Sequence, residues 1–260
     1  MRSSIHPTAV IDPRAELAEG VEIGPFAVIE ADVTIGTACR IAAHAIVRRF
    51  SVLEDDVTVD SFAVVGGLPQ DLSFSESTRS GVRIGAGTVV REGVTINRST
   101  VEGGVSRIGK NCFLMANSHV AHDCELGNDV ILANNAMLGG HVHVGDGSFL
   151  GGGCGIHQFV SIGKLVMVAG NASVTHDVPS YLMVAERSLV TGLNLVGLKR
   201  KLSKEAISEL RACYKAVYMK TGDPAKFAKT TSADSPEAKE FLACFSSSRR
   251  GRFSRSRMQV

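Results

Sequence analysis

The sequence has no tryptophan, and aromatic residues make up only 5% of its 260 residues. It contains no run of about 18 apolar residues, which excludes a typical membrane-spanning helix, and we expect no stable membrane insertion. The stretch MRSSIHPTAVIDPR lacks the apolar segment of a secretory signal, so we expect a cytoplasmic protein. The net charge of +2 carries no general signal for polyanion binding, and we expect no nucleic-acid partner.

The most regular feature of the sequence is a six-residue period of aliphatic side chains. It runs from Ile5 to Val65, from Ile84 to Ile96 and from Ile108 to Val174, with no polar exception. A small or β-branched residue lies two positions before each aliphatic residue, and alternation by two is typical of a β-strand. Glycine, with 27 residues in the chain, often follows the aliphatic residue, where the chain has to turn. Short strands and tight turns at this period predict a parallel β-helix of hexapeptide repeats.

The repeat also indicates the structural role of four of the six cysteines. Cys39, Cys112, Cys124 and Cys154 occupy the small interior position, so we interpret them as packing residues rather than nucleophiles, ligands or disulfide partners.

Interruptions of the period predict the domain organisation. Segments 66–83 and 97–107 break the repeat, and we predict that they are loops ejected from the coil, which are common places for functional residues. We predict a β-helix domain over 1–190 and a helical domain over 191–260, where apolar residues follow helical spacing. Ser203 and Ser235 are expected N-caps.

The segment SSSRRGRFSRSR near the end of the sequence is basic, with Arg249, Arg250, Arg252, Arg255 and Arg257. We interpret it as a frayed, solvated terminus.

The stretch SHVAHDCELG, at 118–127, raises the question of function, because it places His122 directly before Asp123. If three hexads make one coil, residues three hexads apart stack at a spacing of roughly 4.8 Å. The patch then brings together, at one corner, His122, Asp123, Gly140, His141, His157 and Gln158.

Three interpretations of this patch stay open from the residues alone. Polar residues can simply occupy exposed turns, and histidines can bind zinc, as in hexapeptide-repeat carbonic anhydrases. The third is acyl transfer, in which a histidine acts as general base, a carboxylate orients it and a glycine N–H stabilises an oxyanion. A scaffold or binding coil without catalysis is the non-enzyme alternative.

Longer motifs resemble one family of hexapeptide-repeat acyltransferases. PQDL, HVAHDCELGNDVILANNAMLGGHVHVGD, GIHQFVSIG, DVPSY and NLVGLKRK are similar to segments of the UDP-N-acetylglucosamine O-acyltransferases of lipid A synthesis. The resemblance implies an all-β left-handed parallel β-helix with a C-terminal α-helical domain, assembled as a homotrimer with active sites between subunits. It implies transfer of an (R)-3-hydroxyacyl group from acyl carrier protein to the 3-position of UDP-N-acetylglucosamine, without a cofactor or metal.

The resemblance also implies roles for particular residues. His122 would be the general base, Asp123 its partner and Gly140 the source of the oxyanion-binding N–H. Gln70 and Asp71 would lie near the sugar, and Gly170 would lie at the end of the acyl chain. Asn194 and Arg200 would lie near the nucleotide and its phosphates. Further substrate contacts would come from His141, His157 and Gln158.

The sequence departs from the family pattern at three places. Ser73 stands where the family often has lysine, Asn97 where it often has histidine, and 184–192 reads VAERSLVTG. Acyl-chain length therefore stays open. Another nucleotide sugar, or an acceptor with a 3-amino group instead of a 3-hydroxyl, is the alternative substrate.

Overall fold

The aliphatic repeat forms the interior of a left-handed parallel β-helix, in agreement with the sequence prediction. The computed structural model describes residues 3–247 and 252–259. The coil strands are β1 (Ser4–Ile5), β2 (Val10–Ile11), β3 (Glu16–Leu17), β4 (Glu22–Ile23), β5 (Val28–Ile29), β6 (Thr34–Ile35), β7 (Arg40–Ile41), β8 (Ile46–Val47), β9 (Ser51–Leu53), β10 (Thr58–Val59), β11 (Val64–Gly67), β12 (Gly81–Ile84), β13 (Val89–Val90), β14 (Thr95–Asn97), β15 (Val105–Ile108), β16 (Phe113–Leu114), β17 (His119–Val120), β18 (Glu125–Leu126), β19 (Ile131–Leu132), β20 (Met137–Leu138), β21 (His143–Val144), β22 (Phe149–Leu150), β23 (Gly155–Ile156), β24 (Ser161–Ile162), β25 (Met167–Val168) and β26 (Ser173–Val174).

Every third strand pairs in parallel, so the coil is a triangular prism with three sheets as its faces. Face A contains β1, β4 and every third strand to β25, face B runs from β2 to β26, and face C from β3 to β24. In coils without a loop, residues eighteen apart are partners across neighbouring coils, as His119 is with Met137 and Met137 with Gly155. We name the three edges of the prism by the faces that their turns connect: the A–B edge, the B–C edge and the C–A edge.

The interior of the prism is filled by the aliphatic side chains of the repeat. Leu114, Leu132 and Leu150, one above another on face A, are each 0% exposed. The four coil cysteines are buried and free, and burial raises the pKa of the Cys124 thiol to about 12, so they act as packing residues. Ile5, in the first coil, is 47% exposed because no coil covers it from below.

The turns at the edges place one residue of most hexads at positive φ. Asp123 and His141 on the B–C edge each have φ 59°, and Asn135 on the A–B edge also has φ 59°. This conformation costs most side chains about 1 kcal/mol but suits Asn, Asp and Gly, which explains their frequency there.

Both loops leave the coil at the B–C edge. The first connects β11 to β12 and the second connects β14 to β15, and the flanking strands extend into the ends of the predicted loop segments. The two loops are therefore stacked on neighbouring coils along one edge.

The chain after the coil begins with β27 (Leu182–Ala185), which pairs in parallel with β25 and antiparallel with β28 (Leu189–Leu193). The helices are α1 (Leu195–Lys201), α2 (Lys204–Tyr218), α3 (Pro224–Lys229) and α4 (Pro236–Ser247), followed by β29 (Arg255–Ser256). Ser203 caps α2 by accepting from the Ala206 N–H at 3.1 Å, and Ser235 accepts from Ala238 at 3.3 Å. The predicted boundary at residue 190 falls within β28, and we keep the two-domain division as a proposal.

The frayed terminus that we expected is wrong for residues 252–259. β29 pairs with β28, and the Phe253 ring lies 4.9 Å from that of Phe245. The Gln259 amide donates to the Val217 carbonyl at 2.7 Å. The arginine-rich composition suggested a solvated segment, but Phe253, Ser256 and Gln259 are buried against the helices while the arginines stay exposed. Arg249 and Arg250 lie outside the described residues.

Within residues 3–247 and 252–259, none of the helices has the length and apolar character needed to cross a membrane.

Candidate active site

The histidine patch lies on the B–C edge, on the coils that follow the two loops. His122 and Asp123 form the turn from β17 to β18, and Gly140 and His141 form the same turn one coil later. The coils are tied at this edge by main-chain hydrogen bonds: the His141 N–H donates to the His122 carbonyl at 3.0 Å. The Phe159 N–H donates in the same way to the Gly140 carbonyl at 2.9 Å.

The His122 imidazole is held by the carboxylate of its neighbour in sequence. Its Nδ1 lies 2.9 Å from Asp123 Oδ2, and the imidazole is only 14% exposed. Because an ionised carboxylate can only accept, it keeps the proton of the neutral imidazole on Nδ1. Nε2 is then the unprotonated nitrogen, which is able to accept a proton from a substrate.

Gly140 lies directly against this imidazole. A Cβ built on Gly140 would lie 2.5 Å from His122 Cε1 and 2.7 Å from His122 Nε2, so any side chain would displace the ring. In the described part of the chain, the Gly140 N–H has no hydrogen-bond acceptor. A main-chain N–H on a residue that contacts the imidazole can serve as a donor to an oxyanion.

The second loop holds Asp123 in place. Asp123 accepts from the Ser99 hydroxyl, from the Thr100 hydroxyl at 2.7 Å and from the Thr100 N–H at 3.1 Å. Burial raises the pKa of Asp123, but the hydrogen bonds from Ser99, Thr100 and His122 outweigh it and lower the pKa to about 2. Asp123 is therefore ionised throughout the neutral range, as the orientation of His122 needs.

Ser99 and Thr100 are the site residues that the sequence prediction missed. The period identified 97–107 as a loop, but a period does not show where loop side chains fold back. Ser106, which accepts from the Asp123 N–H at 2.8 Å, was missed for the same reason. The available signal was the pair of adjacent hydroxyl residues near the start of the second loop.

His141 shares the carboxylate from the coil above. Its Nε2 lies 3.8 Å from Asp123 Oδ2, and its ring stacks on Phe159, with ring centres 4.5 Å apart. His157 Nδ1 donates to the Gln158 carbonyl at 3.1 Å, and both of these residues are exposed on the same edge. The six residues predicted to share a corner therefore do share it, with Phe159 as a further member.

The first loop faces this patch as well. The Ser73 hydroxyl and N–H donate to Asp71 at 2.7 and 2.9 Å and lower its pKa, and the charges of His122 and His141 act in the same direction. Asp71 is therefore within electrostatic reach of the imidazoles, and Gln70 precedes it at the exposed start of the loop.

The two loops are joined to each other by Asn97, whose Nδ2 donates to the Leu68 carbonyl at 2.9 Å. Asn97, which stands where the family often has histidine, thus helps to hold the two loops together.

Three predicted substrate residues lie elsewhere in the chain. Asn194 caps α1 by accepting from Gly197 N–H at 3.1 Å and donates to the Leu165 carbonyl at 2.9 Å, on the C–A edge. Arg200 is on α1, which begins beside that edge, and Gly170 is in the turn from β25 to β26 on the A–B edge. One chain therefore does not bring these three residues together with His122.

A metal centre is the other chemistry that the patch could offer. Ligand atoms of His122, Asp123 and His141 all lie within 4.8 Å of one another, and three such ligands can hold zinc. However, Asp123 Oδ2 already accepts from Thr100 twice and from His122. A metal would have to break the bonds that orient the imidazole, so the donor set fits a metal poorly.

Family models match most of the coil and the C-terminal region. One described as "Udp N-acetylglucosamine O-acyltransferase; Domain 2" matches residues 177–253. One described as "Bacterial transferase hexapeptide (six repeats)" matches 14–49 and 106–140, and one described as "Hexapeptide repeat of succinyl-transferase" matches 141–176.

Known proteins of one kind resemble the whole chain. The acyl-[acyl-carrier-protein]–UDP-N-acetylglucosamine O-acyltransferase of Campylobacter lari is 44% identical over 83% of this chain and 83% of its own length. The solved UDP-N-acetylglucosamine acyltransferase of Campylobacter jejuni is 37% identical, with a TM-score of 0.93, and covers 98% of this chain and 100% of its own. LpxA of Acinetobacter baumannii is 34% identical, with a TM-score of 0.91, over 96% of this chain and 99% of its own. With this identity over this length, the chain belongs to the UDP-N-acetylglucosamine O-acyltransferase family and is an acyltransferase.

Proposed function

We propose that the protein transfers an (R)-3-hydroxyacyl group from acyl carrier protein to the 3-hydroxyl of UDP-N-acetylglucosamine, in the first step of lipid A synthesis in the cytoplasm. The observation that carries the mechanism is the position of His122, whose Nδ1 is bonded to Asp123 and whose Nε2 lies over Gly140. The names of the relatives support the substrates.

The reaction can be written with these groups alone. His122 Nε2 accepts the proton of the sugar 3-hydroxyl while that oxygen attacks the thioester carbonyl carbon, and a C–O bond forms. The Gly140 N–H donates to the carbonyl oxygen, which becomes negatively charged. When the C–S bond breaks, the imidazolium returns its proton to the departing thiolate. Asp123 stays ionised and stabilises the imidazolium between these two transfers.

The remaining site residues have roles around this centre. Gln70 and Asp71, in the first loop, approach the sugar, and His141, His157 and Gln158 contact the substrates along the B–C edge. Asn194 and Arg200 bind the nucleotide and its phosphates, to which a guanidinium is well suited, and Gly170 marks the end of the acyl chain.

These roles require neighbouring chains, and we propose a homotrimer. Within one chain the proposed base is on the B–C edge, Asn194 is bonded to Leu165 on the C–A edge, and Gly170 is on the A–B edge. Contacts between unlike edges are heterologous, and a heterologous contact closes into a ring when its rotation permits.

An exposed aromatic ladder on the A–B edge offers a face for such a contact. Phe26, His44 and Phe62 stack with ring centres 5.1 and 5.2 Å apart, and the two phenyl groups are 54% and 66% exposed. Large exposed rings of this kind are common in subunit interfaces.

The first prediction concerns the reaction itself. Incubated with (R)-3-hydroxyacyl carrier proteins of several chain lengths and UDP-N-acetylglucosamine, the protein should give a 3-O-acylated sugar by mass spectrometry. His122→Ala should lower the rate by at least about 100-fold, because it removes the base. His6→Ala, at an exposed histidine of the first coil, should retain the wild-type rate. Full activity of the His122→Ala variant would contradict the proposed mechanism. If a product forms only with a 3-amino sugar or with another nucleotide sugar, that sugar is the acceptor instead of UDP-N-acetylglucosamine.

The second prediction concerns the shared site. His122→Ala and Arg200→Ala variants should each be weakly active alone. Mixed trimers formed by co-expression should regain activity, up to about a quarter of the wild-type value, because some interfaces then combine an intact His122 with an intact Arg200. Mixed trimers that are no more active than the separate variants would show that each site lies within one chain.

The third prediction concerns the clamp on Asp123. Its pKa is lower in the folded chain than the usual value of about 3.9, so its contribution to stability is present above about pH 4 and is lost as the pH falls toward 2. Ser99→Ala should raise this pKa and lower the free energy of unfolding at pH 7 by about 1–2 kcal/mol. The difference from wild type should shrink between pH 4 and pH 2, as measured by urea unfolding. Ser208→Ala, at an exposed position of α2, is the control; a Ser99→Ala deficit that is independent of pH would contradict the clamp.

A further inference from the structure

A second concave site lies on the B–C edge, on the coils that precede the first loop. It is a cavity of about 530 Å³ between the coil and that loop. Five arginines line it: Arg14, Arg48, Arg49, Arg79 and Arg98. None of them belongs to the site described above, and the acyl-transfer mechanism uses none of them.

The acidic residues of the cavity leave part of this charge unpaired. Glu30 lies 3.6 Å from Arg48, and Asp32 lies 3.1 Å from Arg49 and 3.9 Å from Arg14. Glu76 is the third acidic residue in the lining.

The guanidinium groups of Arg79 and Arg98 form no ion pair within 4.0 Å among the described residues, and Glu102 accepts only from the Arg79 main-chain N–H, at 2.8 Å. Five arginines face three acidic residues in the lining, so the cavity carries an excess of two positive charges.

Arg98 is the strongest indication that the cavity takes a ligand. It is only 5% exposed, and its Nε has no hydrogen-bond partner among the described residues. One of its Nη atoms donates to the Glu76 carbonyl at 3.1 Å, which fixes the guanidinium against the first loop. Burial lowers the pKa of Arg98, and the charge of Arg49 acts in the same direction, whereas the charges of Glu76 and Glu30 oppose this shift in part. A buried cation with an unused donor is costly, and an anion in the cavity would satisfy both its charge and its donor.

The guanidinium groups converge because they share one aromatic ring. Arg49, Arg79 and Arg98 lie 4.9, 5.2 and 6.0 Å from the centre of the Phe50 ring. Contact with the ring face offsets part of the mutual repulsion of these guanidinium groups, and Arg98 also lies 5.3 Å from the centre of the Phe74 ring. Preorganised guanidinium groups bind phosphate oxygens through pairs of parallel hydrogen bonds.

We propose that this arginine cavity is a phosphate-binding site that takes the phosphate group of an organic phosphate. Inorganic phosphate, pantetheine 4′-phosphate and UDP share this chemistry, and the last two represent the phosphates carried by the two proposed substrates. The site does not depend on the acyl-transfer reaction, because its arginines lie on other coils than His122 and Gly140.

The test measures binding to the whole protein by calorimetry with three separate probes: inorganic phosphate, pantetheine 4′-phosphate and UDP. At least one probe should bind wild type, and Arg79→Gln should weaken that binding about tenfold, because it removes one of the two unpaired charges. Arg79 suits this purpose because its side chain is exposed, whereas Arg98 also anchors the first loop. Arg83→Gln, on the outer face of β12 beside Glu54, should bind as wild type does.

The three probes separate the possible sources of the phosphate. Weaker binding of pantetheine 4′-phosphate by Arg79→Gln would assign the cavity to the acyl donor, and weaker binding of UDP would assign it to the nucleotide. UDP that is held only at Arg200 should bind Arg79→Gln as it binds wild type. Binding should persist in His122→Ala, so that a failure of the proposed reaction and a failure of this site remain distinguishable. The inference is overturned if none of the three probes binds wild type, or if Arg79→Gln binds every probe as tightly as wild type does.

Discussion

The structure depends on the parallel pairing of residues eighteen apart along the coil. This pairing, fixed by the aliphatic side chains inside the prism, decides which turn lies above which. A shift by one residue would turn the interior side chains outward, so the register is strongly specified. The same register sets His122 over Gly140 and brings His141 within 3.8 Å of Asp123. The functional geometry is thus a consequence of the packing of the core.

The B–C edge concentrates most of the polar chemistry of the chain. The arginine cavity, the first loop, the Ser99–Thr100 clamp and the histidine patch follow one another on successive coils of this edge. A rigid prism suits this arrangement because each coil adds one turn to the edge, and a turn can change its residues without disturbing the interior. The loops then supply what a two-residue turn cannot, namely side chains that fold back onto a neighbouring coil.

The sequence predicted whatever follows from the repeat. The interior aliphatic positions, the packing role of Cys124 and the common edge of His122, Gly140 and Gln158 all result from simple stacking. What it missed depends on contacts between distant, irregular segments. Ser99 and Thr100 reach Asp123 only because of the path of the second loop. Composition suggested a solvated terminus, yet Phe253 and Gln259 pack against α4 and α2. Asn194 was expected near the substrate but is bonded to Leu165 on another edge, which is why we propose that neighbouring chains complete the site.

The most direct test of the central claim is the activity of Gly140→Ala. Gly140 does not have a positive φ, so alanine suits its backbone, but its Cβ would lie 2.5 Å from the His122 ring. We expect acyl transfer to fall at least about 100-fold while the fold is retained, because the imidazole that we propose as the base is displaced. Gly155→Ala, whose Cβ would meet nothing within 4 Å, should keep the wild-type rate. Wild-type turnover by Gly140→Ala would show that His122 and Gly140 do not act together in acyl transfer.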